Sequence, residues 1–183
     1  MEHIKRIKRE KRYTGSMLTM CADTILTPDG NEATWDYIEH NGAAAVLPVL
    51  PDGRILMVRQ YRNALDRETL EIPAGGLNGK DEPTIEAAAR ELEEETGYRS
   101  DHLEPLISVV TAVAFCNEVI DVYTATNLVK TEQHLDPDEY IEVEAYKPEE
   151  LVDLIFEGRI QDSKSIAAIM SYLKKYKHIN RGK

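Results

Sequence analysis

Apolar and polar residues alternate in two short segments near the N-terminus, and this pattern predicts strands. The segments cover residues 17–26 and 33–40, and the turn sequence Pro28-Asp29-Gly30 lies between them. A period of two places successive side chains on opposite faces of a strand, and Pro-Asp-Gly is typical of a tight turn. We therefore expect residues 13–40 to form a β-hairpin unit, which ends at Asn41-Gly42.

Two longer apolar runs follow, AAAVLPVL at 43–50 and RILMVRQY at 54–61, on either side of Pro51-Asp52-Gly53. Long apolar runs are typical of strands that are covered on both faces. The turn between them predicts a second hairpin.

The remaining pattern alternates between helices and strands. A helix is predicted over 82–96, with Gly97 ending it, Pro83 in its first turn and Asp81 or Glu82 as its N-cap. Strands are predicted at 106–112, 119–125 and 140–146, and helices at 148–157 and 163–176. The last helix carries apolar residues at helical spacing, which we expect in the core or a dimer contact: Ile166, Ile169, Met170 and Leu173. This order of elements predicts a sheet between helices.

The helix over 82–96 has two distinct faces when its residues are placed at 100° intervals. One face predicts a core stripe of Ile85, Ala88, Ala89 and Leu92. Three glutamates fall together within an arc of about 100°: Glu91, Glu94 and Glu95. Ala87 lies one turn below them and leaves that face open, whereas Glu86 and Glu93 are predicted to face solvent.

This cluster of like charges costs roughly 0.2–0.5 kcal/mol per pair on an isolated helix. Clustered carboxylate oxygens suit a hard divalent cation such as Mg²⁺, which would offset the repulsion. Arg90, four residues before Glu94, can also pair with these carboxylates and orient them. The alternative is a solvated helix face without a ligand.

The composition restricts the class of partner. The net charge of -11 and pI of about 4.9 oppose binding of nucleic acid, whereas a cation could still bridge a small anionic substrate to the protein. The basic run at 5–12 is either a patch for nucleic acid or membrane, or a solvated strand or terminus.

We expect no membrane span, because no run of about 18 apolar residues occurs. No signal peptide is expected either, since no apolar stretch follows the charged N-terminus. Cys21 and Cys116 are predicted to be buried thiols, and a cytoplasmic location is expected.

The acidic helix and its flanks resemble the signature box of the Nudix hydrolases. The matching residues are Gly76, Glu82, Arg90, Glu91, Leu92, Glu94, Glu95 and Gly97, with Tyr98 where an aliphatic residue is usual. Residues 58–76, 115–118 and 136–146 are similar to the ADP-ribose and ADP-sugar pyrophosphatase branch. The likeness covers nearly the whole chain.

This resemblance implies an α/β fold, the Nudix α/β/α sandwich with a mixed sheet and an N-terminal antiparallel β extension. It also implies a division into residues 1–41, for dimerisation and substrate contact, and a Nudix domain at 42–183. A homodimer is expected.

The implied activity is hydrolysis of the diphosphate bond of ADP-ribose or a related nucleoside diphosphate sugar. It would depend on Mg²⁺, with Mn²⁺ as a substitute, and would release AMP or another nucleoside monophosphate and a sugar phosphate. Two alternatives stay open. One is cleavage of nucleoside triphosphates, dinucleoside polyphosphates or capped RNA, and the other is a non-catalytic sensor of a nucleotide metabolite.

The resemblance also implies roles for individual residues. The metal ligands would be Glu91, Glu94, Glu95 and the carbonyl of Gly75; the supporting residues would be Gly76, Glu82 and Arg90. Glu139, or a box carboxylate such as Glu94, would take a proton from the attacking water, with Asp136 and Asp138 as alternatives to Glu139.

Four residues are candidates for substrate binding. Arg62 either clamps phosphate or makes a salt bridge, and Glu71 either contacts substrate or makes a structural hydrogen bond. Trp35 either stacks on adenine or packs in the core or a dimer interface. Glu118 is expected to line the distal ribose pocket.

The sequence departs from that branch at two places. An extra glycine in Gly75-Gly76 allows the carbonyl ligand to shift by one residue. Val113 stands where ADP-ribose-specific members often carry proline, which leaves other nucleotide sugars open as substrates.

Overall fold

The computed structural model describes residues 3–15 and 18–176 of the chain. The chain forms two compact units, one of residues up to 42 together with 110–119, and one of 43–109 together with the residues from 120 onward. Whether residues 1–41 and 42–183 are separate domains, as the sequence predicts, stays a prediction.

The first unit is built on a three-stranded antiparallel sheet. Its strands are β1 (Lys5–Thr14), β2 (Thr19–Leu26) and β3 (Glu32–Glu39), in the order β1-β2-β3. Pairing of β2 with β3 confirms the first predicted hairpin, although position 17 lies outside the described residues. The basic run at 5–12 lies in β1 and is largely exposed, as expected for a solvated strand.

Residues 110–119 belong to this unit through contacts with the end of β3. The amide of Ile38 donates to the carbonyl of Phe115 at 2.6 Å, and Ile38 forms a parallel bridge with Cys116. Cys116 is only half-buried here, so the prediction of a buried thiol is wrong for this residue. Cys21, on β2, is fully buried as predicted.

The second unit contains all three described helices and the remaining strands, apart from the end residues Val110 of β9 and Val119 of β10. The strands are β4 (Ala43–Pro48), β5 (Ile55–Arg62), β6 (Arg67–Glu71), β7 (Ala74–Gly76), β8 (Tyr98–Arg99), β9 (His102–Val110), β10 (Val119–Thr126), β11 (Val129–Lys130) and β12 (Ile141–Tyr146). The helices are α1 (Thr84–Thr96), α2 (Pro148–Phe156) and α3 (Ser163–Tyr176). None of the described helices is long and apolar enough to span a membrane.

These strands form two larger sheets and one small one. One sheet has the order β7-β4-β10-β9 and is mixed, since β4 runs parallel to β10 and antiparallel to β7. The second has the order β12-β5-β6, and β11 pairs with β8. The α/β class with a mixed sheet and an N-terminal antiparallel sheet is therefore confirmed.

The predicted hairpin of residues 43–50 and 54–61 is confirmed at its turn and wrong along its strands. The turn has a bridge between Val49 and Ile55, and the amide of Leu50 donates to the carbonyl of Arg54 at 2.8 Å. Beyond the turn, the two runs form β4 and β5, which lie in different sheets. Every residue of β4 and the first four of β5 are buried. Because both runs are apolar on both faces, each is buried better as the central strand of its own sheet.

Two apolar clusters lie on opposite sides of the β7-β4-β10-β9 sheet. On one side Ala44, Val46 and Tyr123 pack against Ala87, Ala88 and Leu92 of α1. On the other side Ala45, Leu47 and Val122 join a larger core that includes Met57 of β5 and Ile169 and Leu173 of α3. Each strand residue thus alternates between the side of α1 and the side of α3.

The wheel prediction for α1 needs two corrections. Ile85, expected in the core stripe, is 42% exposed, whereas Ala87, expected beneath an open face, is fully buried. The helix rolls toward β4 and β7, so its small alanines fit against the sheet and the larger Ile85 faces out.

The ends of α1 were predicted in part. Gly97 has φ 65° and donates to the carbonyl of Glu93, which confirms the C-terminal glycine. The N-cap prediction of Asp81 or Glu82 is wrong, because Pro83 holds that position in an extended conformation. The Glu82 carboxylate instead accepts from the amide of Asn78 at 2.5 Å.

Candidate active site

The three box glutamates lie on one side of α1, but they differ in burial. Glu91 and Glu95 are buried and Glu94 is half-buried. The side chain of Glu95 reaches β7, where its Oε2 accepts a hydrogen bond from the amide of Ala74 at 3.2 Å. The packing of α1 against β7 therefore brings the glutamates next to the glycines of that strand.

Gly75 of β7 lies directly against the carboxylate of Glu91 on α1. A Cβ atom at this position would lie 2.0 Å from Oε1 of Glu91 and 2.3 Å from its Cδ. No side chain fits there while the Glu91 carboxylate keeps its place. The lack of space explains why position 75 is a glycine. Its backbone conformation does not require one, because its φ lies outside the left-handed region.

Arg90 connects the parts of the box. Its Nη1 donates to Oε1 of Glu91 at 2.6 Å and to Oε2 of Glu94 at 2.8 Å, and its Nη2 donates to the carbonyl of Gly76 at 3.2 Å. Its Nε lies 3.5 Å from Oε1 of Glu82. The residues predicted to support the site, Gly76, Glu82 and Arg90, thus form one connected cluster.

The buried glutamates carry charge that nearby cations compensate only in part. Burial raises the pKa of Glu91, and although Arg90 opposes this shift, the charges of Glu94 and Glu139 add to it. Burial also raises the pKa of Glu95 to about 8, with contributions from Glu91 and Glu139 that outweigh those of Ala74 and Arg62. The site therefore has a deficit of positive charge.

The residues fit a divalent cation by their chemistry. Among the described residues no group of three or more His, Cys, Asp or Glu side chains already has the arrangement of a metal site. Arg90 lies between Glu91 and Glu94 and would have to move, whereas Glu95 has one neutral hydrogen bond in the described part of the chain. Such a set of oxygen donors, short of positive charge, suits Mg²⁺ or Mn²⁺.

Residues 131–134, which follow β11, are hydrogen-bonded to the C-terminal end of α1. The amide of Thr131 donates to the backbone carbonyl of Gly97 at 2.7 Å, and the amide of His134 donates to the backbone carbonyl of Glu94 at 2.9 Å. The side-chain Nε2 of Gln133 donates to the backbone carbonyl of Glu95 at 2.6 Å. These bonds satisfy carbonyls that a helix end leaves unpaired. Nothing in the sequence pattern indicated this role for Gln133.

Glu139 lies on the loop that follows this anchor. Its amide donates to the carbonyl of Asp136 at 3.0 Å, and its Oε2 accepts from the amide of Asp136 at 3.2 Å. Glu139 is exposed, yet its charge raises the pKa of both Glu91 and Glu95. The charge of Glu139 is therefore felt at the box, while Asp136 and Asp138 are also exposed.

Arg62 and Glu71 bind each other. Nε and Nη2 of Arg62 donate to the two carboxylate oxygens of Glu71 at 2.8 and 2.7 Å. Glu71 also accepts from Lys164 of α3 and, at 2.6 Å, from the hydroxyl of Thr69. The structure thus contains the salt bridge and the structural hydrogen bond that were the alternatives to substrate contact, and the substrate roles stay predictions.

The charge of Glu71 is neutralised by Arg62 and Lys164. Burial alone would raise the pKa of Glu71, but Arg62 and Lys164 lower it to about 2. Lys164 is buried and also bonds Asp162 at 3.0 Å. Nothing in the sequence pattern indicates this role for Lys164, because a lysine in an amphipathic helix gives no signal of burial.

Trp35 and Glu118 belong to the first unit. Trp35 lies on β3 and is 50% exposed, so it is not a core residue; stacking on a base and packing in a dimer stay open for it. Oε2 of Glu118 accepts from the hydroxyl of Thr111 at 2.7 Å, and its Oε1 lies 3.5 Å from Nδ1 of His40. Val113 is highly exposed on the same segment.

Comparison with known proteins identifies the family of this arrangement. The model of the NUDIX domain matches residues 39–169. Two relatives each align over 167 residues, 90% of this chain and of their own length: a "Methanol dehydrogenase activator" of Bacillus methanolicus at 38% identity and an "ADP-ribose pyrophosphatase" of Bacillus subtilis (strain 168) at 35%.

A solved structure has the same fold. It is described as "Crystal structure of ADP compounds hydrolase", and it superposes with a TM-score of 0.83 at 18% sequence identity, covering 95% of this chain and 96% of that chain.

Proposed function

Because the chain belongs to the NUDIX domain family, we propose that it hydrolyses the diphosphate bond of ADP-ribose or a related nucleoside diphosphate sugar. The products are AMP, or another nucleoside monophosphate, and a sugar phosphate. The chain is a NUDIX pyrophosphatase. The observation that carries the proposal is the cluster of Glu91, Glu94 and Glu95 on α1, in which Glu91 lies against Gly75 and Glu95 bonds the adjacent strand residue, Ala74.

Mg²⁺ is the proposed cofactor, with Mn²⁺ as a substitute. Glu91, Glu94 and Glu95 would hold it, together with the carbonyl of Gly75. When bound, such an ion neutralises phosphate charge and lowers the pKa of a coordinated water. Arg90 donates to Glu91, to Glu94 and to the carbonyl of Gly76, and would orient the two carboxylates beside β7.

Two side chains outside the helix complete the proposed chemistry. Glu139 accepts the proton of the attacking water, a role supported by its exposed carboxylate and by the effect of its charge on the pKa of Glu91 and Glu95. Arg62 donates to a phosphate oxygen through Nη1, because Glu71 engages its Nε and Nη2. Glu71, which also accepts from Lys164, holds the guanidinium in place for this contact.

The substrate class rests on several observations. A relative that is 35% identical over 90% of both chains is named as an ADP-ribose pyrophosphatase. The strongly acidic chain disfavours longer polyanions such as capped RNA. Trp35 and Glu118 are proposed to contact the base and the distal ribose.

A homodimer in the cytoplasm is proposed as the working form. The first unit exposes several large apolar side chains, namely Trp35, Val113 and Phe115, which a second copy would cover. Both cysteines are free thiols, as is usual in a reducing compartment. Light scattering coupled to gel filtration tests the dimer, and a monomer at micromolar concentration contradicts it.

A substrate panel with Mg²⁺ tests the activity. Wild-type protein should cleave ADP-ribose or another nucleoside diphosphate sugar faster than nucleoside triphosphates or dinucleoside polyphosphates, and Glu94→Gln should abolish cleavage. Glu86→Gln removes an exposed carboxylate from the same helix and should keep full activity. Tight binding without turnover by the wild type would indicate a sensor and overturn the proposal.

A second candidate is a regulatory role on another enzyme. It is favoured by one observation, the 38% identity to a protein named as a methanol dehydrogenase activator. Cleavage by the purified chain without any partner protein supports the first function. A change in the activity of an added dehydrogenase that Glu94→Gln preserves supports the second.

A further inference from the structure

Residues 134–140 form a loop before β12 and carry Glu139, the proposed base. Every residue of this loop is exposed except Leu135, which is half-buried. Inside the loop, the amide of Glu139 donates to the carbonyl of Asp136, and its Oε2 accepts from the amide of Asp136. These two bonds shape the loop without attaching it to another element. Because so little of the loop is buried, the bonds at its two ends must determine where Glu139 lies.

Gln133 connects both ends of this loop through one side-chain atom. Its Nε2 donates to the backbone carbonyl of Glu95 at 2.6 Å and to the backbone carbonyl of Ile141 at 3.3 Å. Ile141 is the first residue of β12. A side-chain amide nitrogen carries two N–H donors, so a single Nε2 can serve both acceptors. The last turn of α1 and the two ends of the loop are therefore held together at Gln133.

The backbone around Gln133 fits closely against the same end of α1. The amide of His134 donates to the backbone carbonyl of Glu94 at 2.9 Å. A Cβ atom at Gly97 would lie 3.1 Å from the backbone nitrogen of Gln133, so this position needs glycine for space as well as for its φ of 65°. Glu94 and Glu95 are two of the proposed metal ligands. The loop is thus attached to the backbone of the residues that form the box.

We propose that Gln133 is a positioning residue, which holds the loop and its Glu139 against the last turn of α1. Gln133 has this role in catalysis only if the proposed function is correct, since Glu139 is a base only in that reaction. The residue type is specific. Glutamate at this position would turn a carboxylate toward two carbonyl oxygens, and asparagine is shorter by one methylene group.

Gln133→Met keeps the length of the side chain but removes both donors. Because Gln133 is exposed, water can replace the lost bonds, and the variant should fold as the wild type does. The loop should detach from α1 about tenfold more often. In an assay with a nucleoside diphosphate sugar and Mg²⁺, kcat should fall about tenfold. KM and the affinity for Mn²⁺ should stay unchanged, because the box keeps its ligands.

A double variant separates positioning of Glu139 from damage to α1. Glu139→Gln removes the base and should lower kcat by about 100-fold or more. Adding Gln133→Met to Glu139→Gln should cause no further loss, because no carboxylate is left to position. An equal loss in both backgrounds would show that Gln133 acts on α1 instead, and it would overturn the proposal. Full activity of Glu139→Gln would overturn it as well.

Amide hydrogen exchange of the protein without metal tests the attachment separately from the reaction. The amide of His134 should exchange about tenfold faster in Gln133→Met than in the wild type, because its bond to Glu94 opens when the loop detaches. Amides in the middle of α1 should not change. Glu132→Ala, which truncates the exposed neighbouring side chain, is the matched control and should leave kcat and exchange unchanged.

The two measurements distinguish this inference from the proposed function. An unchanged exchange rate at His134 in Gln133→Met would overturn the positioning role even if the wild type is active. A wild type that cleaves no nucleoside diphosphate sugar would overturn the proposed function, and the exchange rate at His134 would still decide whether Gln133 holds the loop.

Discussion

Glu71 and Glu95 are each 4% exposed, yet the protein shifts their pKa values in opposite directions. Glu71 lies between Arg62 and Lys164, which lower its pKa to about 2 although burial opposes this. Glu95 lies beside Glu91 and Glu139, and burial with these charges raises its pKa to about 8. The residue type and the burial are the same, so the neighbouring charges decide.

The difference separates a structural cluster from a binding site. A buried carboxylate costs free energy unless cations or hydrogen-bond donors compensate it. At Glu71 the chain supplies both cations itself, and the cluster is complete. At Glu95 the chain supplies one backbone amide and the charge of Arg62, which do not offset burial, and a bound divalent cation would supply the missing positive charge. Four predictions test this distinction.

The largest effect is expected for Glu95→Gln. Loss of a residue that only supports a metal ligand lowers metal affinity or activity about 10–100-fold. Loss of a ligand itself should therefore lower kcat/KM about a thousandfold, or about 4 kcal/mol. The free energy of unfolding without metal should not fall, because no charged partner of Glu95 is left behind. Steady-state kinetics and urea denaturation measure the two quantities. Full activity of Glu95→Gln would show that Glu95 is not a metal ligand.

Glu71→Gln should instead act mainly on stability. The substitution leaves Lys164 and Arg62 facing a neutral amide, and the free energy of unfolding at pH 7 should fall by about 3 kcal/mol. Lys164→Met is the control, and it should cost less because Glu71 keeps Arg62. Urea denaturation measures both variants. If Glu71→Gln has the same free energy of unfolding as the wild type, the charges of the cluster do not compensate one another as described.

Acid should weaken the same cluster. The folded pKa of Glu71, about 2, lies below its ordinary value of 4.5, so its contribution is present above pH 4.5 and is lost as the pH falls toward 2. About 2 kcal/mol of this contribution to the free energy of unfolding should be lost by roughly pH 3. The stability difference between wild type and Glu71→Gln should therefore shrink on acidification. A difference that is independent of pH would contradict this.

The smallest effect is expected for Gly75→Ala. The new methyl group displaces the carboxylate of Glu91 and should weaken Mn²⁺ binding about tenfold, or about 1.4 kcal/mol. Calorimetry measures the affinity. In a Glu91→Ala background the same substitution should have no further effect, because the displaced group is missing. An equal loss in both backgrounds would assign the effect to the backbone of β7 instead.

The sequence predicted the elements whose signals are local. Helical spacing and Gly97 located α1, and the turn at Pro28-Asp29-Gly30 located the β2–β3 hairpin. The box residues came from their spacing and from the family resemblance. Among them, Arg90 does contact Glu91 and Glu94.

The sequence failed where partners are distant along the chain. The apolar runs of β4 and β5 indicated burial but not the sheet to which each belongs. Lys164 pairs with Glu71, and Gln133 reaches α1, through contacts that no periodicity records. The burial of Ala87 rather than Ile85 depends on how the helix rolls on the sheet, which is a property of packing.

The pairing of β4 bears on how the chain is synthesised. Its parallel neighbour β10 places Ile120 beside Ala43, so this core strand has no such partner until much of the chain has left the ribosome. Long-range parallel pairing of this kind forms slowly and exposes apolar strands to aggregation. Fragments that end before β10 should therefore precipitate or require a chaperone, whereas the β2–β3 hairpin, whose strands are neighbours in sequence, can form early.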